Sequence, residues 1–524
     1  MARNGRILIC KNIKLDKSYR NVLNYSESQM LELCSQNVVA QADDYSFIRE
    51  KGTIKVNFSY SQCLQSNYVA FENPDYSGKW FFAFIDKVNF ISPGATEIEY
   101  TIDIWSTWFS YWVQKPCFVV REHVSNDTIG LHTVPENIDV GEVIEEQVTE
   151  DSSYNFYWVA ISSSWDIEKQ QQYSGITVVN KSIWGKKIYL IRCNETSLVN
   201  LGLFLYKCAY DDHINDVSDI FIVPSACIDE TKITQKTFTI GDETGIYYDI
   251  PTVNFDVPTF NTTIEKRHSF SDYTPKNNKC FVYPYNYLFV SNNQGSYNIY
   301  KYEDFYSDNC IFRNDIVLSI GGSARIVPLN YKNMQEDDDD ALVLGKFPVC
   351  GWSSDAFTNW LTQNSVNLAS NFAQSIVQAP KSGGMSIADN LISQIGSFYT
   401  ANLLPNIEHG NMNVGDVIYS TDRNLFSFRE MRVKTEYMQI IDNFFSRFGY
   451  KINLTKMANL TGRQNFNYVE IGQDETLAYT NENSNTGSIP AEALEIINNA
   501  FRSGVTIWHN HVNLGNFTVD NGIV

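Results

Sequence analysis

Several chemical signatures are missing from this 524-residue chain, and each absence removes a class of function. There is no G-x-S-x-G elbow, no H-E-x-x-H and no G-x-x-x-x-G-K-[ST] loop, so the common serine-hydrolase, zinc-protease and nucleotide-phosphate chemistries have no anchor. None of the ten cysteines forms a C-x-x-C pair, which excludes a zinc ribbon or a thioredoxin-like site. Their scatter in so long a chain fits reduced, buried thiols of a protein made in a cytosol. The opening MARNGRILIC is too short in apolar length for a signal peptide. No run of about 18 uninterrupted apolar residues exists, so no ordinary membrane-spanning helix is expected. Positive charge is scarce, with 40 Lys and Arg against 60 Asp and Glu and a formal net charge of −20. A dedicated nucleic-acid binder needs cations to displace counterions from phosphates, so that role is disfavoured. A surface along which DNA passes without sticking is compatible with the balance, and so is solubility alone. No cofactor is implied.

What the chain does have is aromatic and β-branched residues. Aromatics make up 14% of it, and the first 330 residues read as mostly strand. Ile54, Val56, Phe58 and Tyr60 alternate with polar residues, the pattern of a sheet with one wet face. From Glu97 onward, Ile98, Tyr100, Ile102 and Ile104 point one way, while Glu97, Glu99, Thr101 and Asp103 point the other. Asn73-Pro-Asp-Tyr-Ser-Gly78 is a turn cluster that predicts a hairpin between flanking hydrophobic runs. Trp80 to Ile85 is apolar on both faces and predicts a sheet interior. Between Ser125 and Pro348 shorter strands are expected, among them Gly175–Val179, Lys187–Ile191, Cys280–Tyr283 and Arg325–Pro328. Glu336-Asp-Asp-Asp-Asp340 lacks the glycine and spaced oxygens of a calcium loop and is expected to be a solvated turn. The fold class expected is mainly β with a smaller helical part, in several domains.

One segment differs in kind. From Ala356 to Asn406 the only charged residues are Lys381 and Asp389, where the chain-wide share of 19% would give about ten. Phe357, Trp360, Leu361, Leu368, Phe372 and Ile376 lie in a first amphipathic stretch. Ile392, Ile395, Phe398 and Leu403 belong to a second, with Ser382-Gly-Gly-Met385 as a hinge between them. These ten residues are the candidates for a channel plug or a membrane-contacting hairpin. Two histidines, His509 and His511, offer too few ligands to define a metal site, and hydrogen-bonded structural roles are expected for them. Carboxylate pairs such as Glu97 and Glu99 sit on one strand face rather than across a cleft, so no catalytic pair is named.

The stretch Lys434 to Tyr450, KTEYMQIIDNFFSRFGY, places Tyr437, Ile440, Ile441, Phe444, Phe445 and Phe448 at the spacing of one helical face. Gly449 supplies a stop that tolerates positive φ. This run, with the strand letters after it, Arg502–His509 and Gly515–Val519, resembles the C-terminal part of tail-knob or distal tail-tube proteins of short-tailed bacteriophages with protein-primed genomes. Tyr68–Phe84, Glu99–Trp105 and Phe118–Val124 carry a second block of the same resemblance.

The resemblance implies a structural virion protein, not an enzyme, assembled in the host cytoplasm. It implies a homohexamer whose tube is built from the first and last parts of each chain and carries double-stranded DNA during ejection. Other tail proteins and a host membrane or cell wall are its implied contacts. Residues 1–124 and 411–524 would form the tube domain, 125–348 the outer knob, and 349–410 the uncharged segment. The acidic strand face supplies the candidate lumen-lining residues Glu97, Glu99 and Asp103. Relatives carry a long Gly- and Ala-rich hydrophobic loop before the C-terminal block, whereas Ala356–Asn406 is shorter and richer in Asn, Gln and Ser. The aromatic richness keeps a second reading open, a tail adhesin that binds a receptor or cell-wall glycan through loops between Ser125 and Asp340.

Overall fold

A computed structural model describes residues 3–48, 52–76, 78–149, 156–179, 182–192, 199–251, 258–293, 295–317, 323–345, 426–481 and 489–524. All ten candidates between Phe357 and Leu403 lie outside the described residues. The chain divides into two compact units. The first comprises Met1–Glu142, Ser269–Val282 and Lys434–Val524, and the second Val143–His268 and Tyr283–Val433.

The first unit begins as a closed antiparallel barrel. Its strands run in the order Arg3–Cys10, Val38–Ile48, Thr53–Val56, Ala95–Ile102, Lys79–Ser92 and Tyr68–Asn73, which pairs back to the first. Closure removes the unpaired edges an open sheet would expose. Alternation along the strands sends Ile7, Ile9, Ile54, Val56, Val69, Phe71, Ala83 and Ile98 into one core. The opposite faces of two strands are also buried. Tyr68, Ala70, Trp80, Phe82 and Phe84 pack with Met30, Leu33 and Cys34 of the helix Glu27–Gln36. That double burial explains the continuous apolar run from Trp80. Asn73 pairs with Lys79 across the hairpin, whose turn holds a short 3-10 helix at Pro74–Tyr76.

The chain ends meet in a five-stranded sheet ordered Asn21–Leu23, Val505–Trp508, Phe466–Ile471, Cys117–Glu122 and Tyr450–Lys456. Asn21–Leu23 runs parallel to Val505–Trp508, and Cys117–Glu122 is inserted between two C-terminal strands. Trp105 reinforces the join, donating its indole N–H to the Leu23 carbonyl at 3.1 Å and packing on Phe501. Gly449 follows the helix Thr435–Phe448 at φ 66°, and a Cβ there would sit 2.1 Å from the Glu122 carbonyl oxygen. Only glycine fits both that backbone and that approach.

The second unit is also β-rich. One sheet runs Val217–Pro224, Phe156–Ser163, Lys187–Arg192, Glu243–Asp249, Thr234–Ile240, and the helix Val199–Tyr210 contributes Leu201, Leu203, Phe204 and Leu205 to a core shared with it. A four-stranded sheet of Val143–Thr149, Ser427–Val433, Asn286–Ser291 and Tyr297–Tyr300 and a further sheet around Asn309–Ile316 and Ser323–Tyr331 supply a larger core. Among the described residues no helix is long and apolar enough to cross a membrane. Eight cysteines among them are free and buried.

Several local expectations are corrected. The alternation at Ile54 ends at Val56, and Tyr60 opens a short helix, Tyr60–Cys63. Cys280–Tyr283 is not a strand, because Asn278–Phe281 forms a 3-10 turn. Asp337 in the acidic loop is buried and accepts the Asp340 N–H at 3.2 Å, so that loop is partly internal. On the helix Thr435–Phe448 the buried residues are Met438, Ile441, Asp442 and Phe445, while Tyr437 and Ile440 are 39% and 66% exposed. The first unit also extends to Glu142 rather than Val124. Its 125–142 stretch is tied down by Asp127, which accepts from the Tyr450 hydroxyl at 2.7 Å, and by Lys434, whose N–H donates to the Glu142 carbonyl at 2.9 Å.

Candidate functional site

The strand Ala95–Ile102 carries the candidate lumen residues, and the structure separates them. Ile98 is fully buried, which turns Glu97 and Glu99 to the outer, wet side of the barrel. They are not an isolated acidic stripe. Lys55 lies opposite Glu97 at 3.7 Å, and Lys87 lies opposite Glu99 at 3.9 Å. Asn89 adds a 2.6 Å hydrogen bond to Glu99. The cross-strand lysines make this face nearly balanced in charge, and such exposed pairs contribute little to stability.

Asp103 is a different object. The strand ends at Ile102, and Asp103 caps the helix Ile104–Trp108 by accepting the Ser106 N–H at 3.1 Å. Its other oxygen accepts the Tyr68 and Ser106 hydroxyls at 2.7 and 2.8 Å. It is 1% exposed, and burial pushes its carboxyl above the usual range. Asp103 therefore lines no channel. The Asp-x-x-Ser spacing before an apolar turn was the available signal, since a side-chain oxygen at that position satisfies an orphan helix N–H.

A polar clasp that the apolar pattern did not suggest lies in the same unit. Asp442 sits on the buried face of its helix and receives the Tyr273 hydroxyl at 2.7 Å, the backbone N–H groups of Lys276 and Asn277 at 2.9 and 3.0 Å, and the Asn277 amide at 2.8 Å. Glu136, with a fully buried side chain, takes Lys279 and Arg121 together and accepts the Lys451 N–H at 2.9 Å. Burial pushes the Lys279 ammonium down, opposed by Glu136. These carboxylates fasten Ser269–Val282 into the first unit. A buried carboxylate with this many donors is a structural anchor rather than an acid-base group.

His509 bonds Asn467 at 2.9 Å and His511 bonds the Tyr25 hydroxyl at 3.1 Å, so each imidazole has a local partner. No cluster of three or more potential metal ligands occurs among the described residues.

This assembly, a β-barrel and an end-to-end sheet with buried polar anchors, defines a β-rich protein whose described carboxylates serve as anchors. A family model described as "Bacillus phage phi29, Tail knob protein gp9, C-terminal domain" matches residues 249–421 and 412–522, more than half of the chain. A second, "Caudoviral major tail protein N-terminus", matches residues 3–112. The chain is 22% identical to the tail knob protein gp9 of Bacillus phage phi29, over 91% of this chain and 90% of that protein. It is likewise 22% identical to the tail knob protein gp9 of Bacillus phage B103, over 90% of each. The solved tail knob protein gp12 of bacteriophage C1 has the same fold, with a TM-score of 0.68 at 12% identity over 99% of this chain and 100% of that one. The chain belongs to the tail knob protein family of phi29-like short-tailed phages. It is a structural component of a virion tail and not an enzyme.

Proposed function

We propose that the first unit is the wall of a distal tail tube, that copies close into a six-membered ring, and that the genome leaves through it. As a tail component the chain assembles with other tail proteins, and the proposed setting of that assembly is the host cytoplasm. The observation that carries the reading is the end-to-end sheet, in which strands from residues 21–23 and 117–122 interleave with strands from residues 450–508. A wall unit stitched in this way keeps both chain ends in one compact unit.

Within that reading Glu97 and Glu99 face the channel, and Asp103 is withdrawn. Their balance with Lys55 and Lys87 gives phosphates little to hold. The sparsely charged stretch 356–406 acts as a channel plug or contacts the host membrane, since avoiding charge is what a lipid-facing segment requires. Three experiments test the reading. Micrographs of purified protein should show a closed ring, most simply six-fold. Virions carrying Glu97→Lys and Glu99→Lys should eject DNA several-fold more slowly, because four lysines would then line one face. Virions lacking 356–406 should leak DNA if the segment is a plug. Only monomers in micrographs of both the free protein and tails would sink the ring. Unchanged ejection from intact double-lysine particles would remove those residues from the lumen. Full DNA retention after the deletion would remove the plug.

A further inference from the structure

Three cations of the first unit that form no ion pair among the described residues converge on one cavity of about 400 Å³. Lys276, Arg447 and Arg463 line it, with Asp520 as the only carboxylate in its wall. Arg463 is 8% exposed, yet no carboxylate among the described residues forms an ion pair with it. Its Nη1 donates to the Asn521 carbonyl at 3.3 Å, and its Nε has no acceptor among the described residues. A buried guanidinium with an idle donor edge is costly unless something accepts from it. Burial pushes Arg463 below the usual arginine value, opposed by the nearby charge of Asp127 and by Tyr450, neither of which forms an ion pair or hydrogen bond with it among the described residues.

The surroundings favour an anion. Arg447 is held with its guanidinium 4.3 Å above the Phe517 ring, which fixes its place without neutralising it. His123, also in the wall, accepts the Tyr468 N–H on Nδ1 at 2.7 Å, so its Nε2 carries the proton donated to the Ser446 carbonyl at 3.1 Å. It is therefore neutral and offers the cavity no competing acceptor.

We propose that this cavity binds a phosphate group, free or carried on a nucleotide. Three cations against one carboxylate suit a doubly charged group better than a singly charged carboxylate. A tetrahedral oxyanion presents several oxygens, which lets the ammonium and guanidinium groups in the wall each take one. The inference stands apart from the tube reading, because the binding is measured on the soluble protein and needs no ring.

The test is calorimetric titration of the full chain with inorganic phosphate and, separately, with dAMP, at constant ionic strength set by chloride. Saturable binding is expected, weakened at least tenfold in Arg463→Gln and about threefold in Arg447→Gln. The second variant changes an exposed side chain and so keeps the fold if the first does not. dAMP binding tenfold tighter than phosphate assigns a nucleotide, and equal binding assigns the free ion. No saturable binding of either probe, or binding unchanged in Arg447→Gln and in a Lys276→Gln/Arg447→Gln double variant, overturns the proposal.

Discussion

Replacing Asp442 by alanine is expected to cost the protein about 3–5 kcal/mol, one of the largest single losses available in the first unit. The reason is what stays behind. The Tyr273 hydroxyl and the Lys276 and Asn277 N–H groups would each lose their acceptor, the last of them buried, while the Asn277 amide keeps the Asp442 carbonyl and the Ser446 hydroxyl. Each unsatisfied buried donor costs about 1–3 kcal/mol, and relaxation around the smaller side chain recovers part of the sum. Asp442→Asn should lose nearly as much, since its amide would point a donor at donors. Ser269–Val282 should loosen first, so amide exchange there should rise before global unfolding. A denaturation midpoint unchanged within 0.5 kcal/mol (roughly the effect of a neutral surface change) would show that the clasp holds nothing.

The apolar alternation was legible on the strand Ala95–Ile102, where one face is wet. Ile98 between Glu97 and Glu99 is an example, and the Asn73–Gly78 turn placed a hairpin correctly because turn residues act locally. Errors collected where a local pattern met a long-range partner. Asp103 looked like the next member of an alternating series. Tyr68, 35 residues away, and Ser106 make it an interior cap instead. The helix face at Tyr437 and Ile440 looked apolar and buried, yet the core side rotates to include Asp442, whose chief partner Asn277 lies 165 residues earlier. Periodicity alone gives no hint that an acidic residue belongs inside, because only its donors make that tolerable. The assignment of Ser269–Val282 to the first unit was hidden for the same reason. For the virion role, the resemblance at the two ends of the chain was the informative signal, since packing residues such as Phe445 and Trp508 carry fold rather than chemistry.

Acidification should destabilise the first unit through His123, and the sign follows from its depressed pKa. Burial first, then the nearby charge of Arg463, push the imidazole from 6.5 down to about 3, against a smaller opposing effect from the Ser446 carbonyl. Between those values the unfolded chain binds a proton that the folded protein refuses. Stability from this group is therefore fully present above pH 6.5 and is lost as pH falls toward 3. At 1.36 kcal/mol per pH unit the loss is about 2 kcal/mol by pH 5 and about 3 kcal/mol by pH 4. Asp103 works in the other direction, because burial favours its protonated form in the folded state and returns some stability in acid. Protonating His123 would also place a donor against the Tyr468 N–H, which Nδ1 now accepts at 2.7 Å, so the bond between strand Phe466–Ile471 and this ring is lost with the proton's arrival. Urea unfolding at pH 7, 6, 5 and 4 should show the decline, and His123→Asn, which keeps an acceptor but cannot titrate, should flatten it. An identical pH slope in that variant would assign the acid sensitivity to other groups.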